Sequence, residues 1–123
     1  MNLRRAEFIA RQVTRGALAR LPENLREQAE ACVIEFALAE ECVADEPELD
    51  ADLLGLFEGC SRLDGDPETP EDLPRIRLFL DNLWDHAEGD PRVFRDELRI
   101  TLLHELGHYL GLDEDQVAAL GLA

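Results

Sequence analysis

The sequence predicts an α+β domain, and three observations carry that expectation. Apolar residues recur at helical spacing near both ends of the chain, three short middle segments read as strands, and turns rich in Pro, Gly and Asp separate them. The length of 123 residues with 46% hydrophobic content suits one globular domain, residues 1–123, with a modest core. The expected architecture is a sheet of about three strands covered by N-terminal helices and one long helix.

From Leu3 to Arg20, apolar Leu3, Phe8, Ile9, Val13, Ala17 and Leu18 interleave with arginines, which predicts an amphipathic helix weakened by Gly16 near its end. Leu21-Pro22-Glu23 starts a second helix running to about Ala31, with Pro22 tolerated in the first turn. Cys32 to Leu38 reads as a strand with Cys32, Ile34, Phe36 and Leu38 on one face. Glu40 to Asp52 is acidic and contains Pro47, so an exposed connection is expected there. A short strand over Leu53–Glu58 ends at Gly59, and the proline-rich stretch Ser61–Pro74 reads as a loop. Arg75 to Asp81 alternates, with Ile76, Leu78 and Leu80 facing one way, as a third strand. His86 is expected in a loop as a surface bystander. A long helix follows, with Asp90 as N-cap, Pro91 in the first position and a stop at Gly111 after Leu110. Asp113 and Gln116 have the spacing of a capping box at the head of a last short helix.

Twenty-eight acidic residues against twelve basic ones give a net charge of −16, which disfavours nucleic acid and anionic membrane surfaces as partners. No apolar run approaches the ~20 residues of a membrane span. The charged start Met1–Glu7 leads into no secretory-type apolar stretch, so a cytoplasmic location is expected. Cys32, Cys42 and Cys60 are odd in number and too widely spaced for a Cys-x-x-Cys clip, so they are expected to be free thiols.

One motif carries chemistry. His104-Glu105-Leu106-Gly107-His108 places two imidazoles four residues apart on one helical face, where both can reach one tetrahedral Zn²⁺. Glu105 stands beside them, placed to take a proton from an activated water and return it to a leaving amine. Shuffling this composition yields the pattern in roughly 0.6% of sequences, so coincidence is a weak explanation. A catalytic site also needs a third protein ligand. Glu114 is the first choice, with Asp113 and Asp115 as alternatives, Asp113 being the expected N-cap. Two His and a carboxylate would also accept Fe, Co or Mn.

The run His104 to Asp115 resembles the active-site signature of the small single-domain zincin-like metallopeptidase family of bacteria. Leu53 to Gly59 resembles that family's second marker, and Leu21-Pro22 and Arg75–Leu78 match its looser parts. The resemblance implies a minimal zincin-like core with one Zn²⁺ per chain, His104 and His108 as ligands and Glu105 as catalytic base. It places an acidic ligand, commonly Asp, at the eleventh motif position, which is Glu114 here. It also implies that an edge strand near Gly55–Glu58 offers backbone groups to an extended peptide or protein substrate. The expected function is zinc-dependent hydrolysis of peptide bonds. The alternative is a zincin-like binding or regulatory module without turnover, or a structural zinc tying the long helix to the C-terminal turn.

Overall fold

A computed structural model of the chain describes residues 1–120. Its first helix, α1 (Leu3–Ala19), starts where the Asn2 side chain accepts a hydrogen bond from the Arg5 N–H at 3.1 Å. The buried stripe is Ala6, Ile9, Ala10, Thr14 and Ala17, whereas Phe8 is 58% exposed. The helix therefore turns its small residues inward, and alanines let its backbone lie close to its neighbour. A short α2 (Glu23–Ala29) follows and leads into strand β1 (Val33–Ala37), one residue shorter at each end than the sequence pattern implies.

The acidic connection after β1 is where the structure corrects the expectation. Ala39–Asp45 is a helix, α3. Its cap comes from far along the chain, because both Asp81 carboxylate oxygens accept from the Ala39 and Glu40 N–H groups at 2.8 and 3.1 Å. Glu40 and Glu41 then sit in a first turn where negative charge is favourable.

Strand β2 (Gly55–Glu58) and strand β3 (Arg75–Phe79) complete a three-stranded sheet in the order β1-β3-β2. β1 runs parallel to β3 with Ile34 opposite Ile76, and β2 runs antiparallel with Phe57 opposite Ile76. The Ser61–Pro74 loop contains two single turns of 3₁₀ helix, Arg62–Asp64 and Pro70–Asp72. β3 ends at Phe79, and Leu80–His86 form helix α4, so His86 closes a helix rather than lying in a loop. Leu80, buried with the core, is fixed by that helix and not by strand alternation.

Both faces of β3 are covered. Ile76 and Leu78 are fully buried among the helices, and Arg77 (5% exposed) and Phe79 (0%) are buried on the other side. An arginine is tolerated there because its charge is fully answered. Its guanidinium donates to Glu46 at 2.6 and 3.1 Å and to Glu58 at 2.8 Å, and lies 5.7 Å from the Phe79 ring centre. The hydrogen bond from Arg77 holds the Glu46 carboxyl below its ordinary pKa, and that to Glu46 raises the guanidinium's.

The long helix α5 (Pro91–Leu110) runs through the middle of the molecule, with Phe94, Leu98, Leu102 and Leu106 buried to within 1%. α1 packs on it from one side and β2 and β3 from the other. The last helix, α6 (Glu114–Ala118), lies against its C-terminal end. Among the described residues no helix is long and apolar enough to cross a membrane.

Candidate metal centre

Helix α5 is sharply delimited, and this fixes the motif's position. The Asp90 side chain accepts from the Arg92 N–H at 2.9 Å, and Pro91 takes the first helical position. At the other end Gly111 adopts the left-handed conformation (φ 72°). The N–H groups of Gly111 and Leu112 then bond back to His108 and Gly107 at 3.4 and 2.9 Å, a Schellman closure. The same glycine makes room for Leu63, since a Cβ there would lie 2.5 Å from a Leu63 methyl carbon.

On the exposed side of α5, His104 and His108 have ring centres 5.9 Å apart and rings nearly perpendicular (79°). Both side chains are about half exposed, whereas that of Glu105 is 16% exposed. Glu105 Oε1 lies 3.8 Å from His108 Nδ1 and accepts a hydrogen bond from the Phe57 N–H of β2 at 2.9 Å. The carboxylate of the motif is thus tied to the sheet edge. Gly55 permits this close approach, because a Cβ there would stand 2.7 Å from the Thr101 methyl on α5. The Phe57 and Tyr109 rings pack beside it, 5.9 Å apart and tilted by 50°. Burial pushes the Tyr109 hydroxyl above its ordinary pKa.

The two histidines and Glu105 open onto a groove of about 320 Å³ between α5 and the start of β2, lined also by Leu54, Gly55, Glu97 and Thr101. The sequence marked Gly55–Glu58 as an edge strand but singled out neither Glu97 nor the bond from the Phe57 N–H to Glu105. Glu97 could have been found by extending the helical face back from His104 through Thr101. The pairing of the Phe57 N–H with Glu105 has no signal in the sequence, since the two stand 48 residues apart. His86, at the end of α4, lies 3.5 Å from Glu97 and does not line the groove.

The three candidate third ligands differ in what already occupies them. Asp113 caps α6, accepting from the Gln116 N–H at 2.8 Å while its own N–H donates to Gln116 Oε1 at 2.8 Å. Glu114 Oε1 lies 3.7 Å from His104 Nε2, with a side chain 90% exposed. Asp115 is exposed in the first turn of α6. α6 is held where it is by Gly107, because a Cβ at that position would be 2.5 Å from a Val117 methyl. Among the described residues no three His, Cys, Asp or Glu side chains are already gathered into a metal-holding group. The donor types nonetheless fit zinc, with two imidazoles on one helical face and an exposed carboxylate beside one of them.

Fold and site together define a small mixed-sheet domain whose long helix presents His-Glu-x-x-His beside an edge strand, an arrangement of the zincin class. A family model described as Zincin-like metallopeptidase matches residues 27–122, and the chain belongs to that family. No curated protein matches the chain.

Proposed function

We propose that the chain is a zinc-dependent peptidase with His104, His108 and Glu114 holding one Zn²⁺ and Glu105 acting as general base. The observation that carries this reading is Glu105, a largely buried carboxylate anchored by the Phe57 N–H at the groove that both histidines line. Bound zinc supplies Lewis-acid polarisation of a carbonyl and acidification of water toward neutral pH. Glu105 takes the proton of the attacking water on its carboxylate and passes it to the leaving amine. The Phe57 N–H orients that carboxylate and leaves its second oxygen for the proton. Antiparallel pairing alternates bonded and free residues, so Gly55, with the parity of Phe57, turns its N–H and C=O outward. These groups would hold an extended substrate along the edge strand. Glu97 and Glu105 line the groove without an arginine, which favours a cationic peptide over an acidic one.

Metal content by inductively coupled plasma mass spectrometry tests the centre, with about one zinc per chain expected and loss in His104→Ala. Glu105→Gln should then lower peptide turnover by on the order of 10²–10⁴ while zinc stays bound. Unchanged turnover in that variant would sink the peptidase reading. A second reading, a structural zinc tying α6 to α5, is favoured by the reach of Glu114 across to His104. It expects chelation to lower the melting temperature in a protein without turnover. A cytoplasmic location belongs to the same proposal, since the three cysteines are free, as expected of a reducing compartment.

A further inference from the structure

Helix α5 borders a second groove on its opposite side. At about 100° per residue, Arg95 and Arg99 lie across the helix from His104 and His108. There Gln12, Gly16 and Arg20 of the α1 segment face Arg95, Asp96 and Arg99 across a groove of about 230 Å³. Three arginines line one groove in a protein whose net charge is −16, yet little answers them. Among the described residues, the one carboxylate within 4.0 Å of any of the three is Asp96, at 4.0 Å from Arg99 and itself 70% exposed. Arg95 donates to Gln12 Oε1 at 3.4 Å, an uncharged and long partner. Arg99 Nε is shut off from solvent with no hydrogen-bond partner at all. The negative C-terminal end of α1 accounts for Arg20 alone, not for the two arginines in the middle region of α5.

Gly16 is an independent sign. A glycine inside a helix costs stability relative to alanine. Neither of the usual reasons applies, since its φ is not positive and a Cβ built on it meets nothing within 4 Å. What the missing side chain does provide is open room at the groove's edge, where a ligand can come close.

We propose that this groove binds a small oxyanion, with a phosphoryl group held by the forked donors of Arg95 and Arg99 and closed by Arg20, in room that the absent side chain of Gly16 leaves open. Guanidinium geometry matches tetrahedral and planar oxyanions through paired N–H donors. The volume suits an inorganic or small organic anion rather than a drug-sized molecule.

Isothermal titration of the whole chain with pyrophosphate, inorganic phosphate and citrate, at fixed ionic strength, tests it. Saturable binding of one of these above a sodium chloride control is expected. Pyrophosphate binding tighter than citrate marks a phosphoryl ligand, and the reverse order marks a polycarboxylate in the same site. Arg95→Gln and Arg99→Gln should each weaken binding at least tenfold. Gly16→Ala should raise the melting temperature of the free protein by about 2–5 °C, through helix propensity, while also weakening binding tenfold. Heat no greater than that of the salt control overturns the proposal, and so does unchanged affinity in both arginine variants or in Gly16→Ala.

Discussion

Glu105 and Arg77 show how a single side chain is prepared by backbone and charge before any ligand arrives. Because Glu105 accepts from the Phe57 N–H, its replacement by Gln keeps an acceptor in place, whereas Ala would strand a half-buried N–H and mix stability loss with loss of chemistry. Arg77 sets a different expectation. It holds the Glu46 carboxyl below its usual pKa, so that stabilisation is present above the unfolded carboxylate value and is lost as pH falls through the folded one. The wild-type melting temperature should therefore fall steeply with pH below about pH 4, and Arg77→Met should show a shallower acid limb. An identical acid limb in both proteins would show that this pairing contributes nothing. The His-Glu-x-x-His motif was legible in the sequence because its residues are neighbours on one helix. Arg77 was not, since Glu46 and Glu58 stand 31 and 19 residues away and strand alternation sets it only on the face opposite Ile76 and Leu78.

Among the elements, those with local punctuation were readable and those capped from a distance were not. Asp90, Pro91 and Gly111 bracket α5, and the Asp113–Gln116 box heads α6, just as their spacing implies. α3 was hidden because its cap, Asp81, lies 42 residues from Ala39 and belongs to α4. α4 was hidden in turn because Leu80 and Asp81 continue the alternation of β3. Asp81→Ala should remove both cap bonds and lower the unfolding free energy by about 1 kcal/mol, measured by denaturant titration. The contact between α5 and α6 is steric. Gly107→Ala inserts a methyl group 2.5 Å from Val117. It should cost about 1–3 kcal/mol and, by displacing α6, separate Glu114 from His104. If the metal reading holds, the same variant should bind zinc more weakly in a competition titration, although no ligand has been changed.

Across the whole molecule the charge is divided rather than spread. Residues 1–26 carry six arginines and two acids, whereas residues 40–72 carry thirteen acids and one arginine. The fold keeps this division in space, with α1 on one side of α5 and the sheet, including β2 in the middle of the acidic stretch, on the other. The protein thus has an orientation in an electric field, beyond its net charge. On an anion-exchange column it should settle with the 40–72 side down. Neutralising Glu68 and Glu71 there should then advance elution more than neutralising Glu23 and Glu27 on α2, although both pairs change the total equally. Equal shifts would mean that the resin reads only the sum. A larger shift from the first pair would mean that the molecule meets a charged surface with one face, and that its arginine side is left pointing into solution.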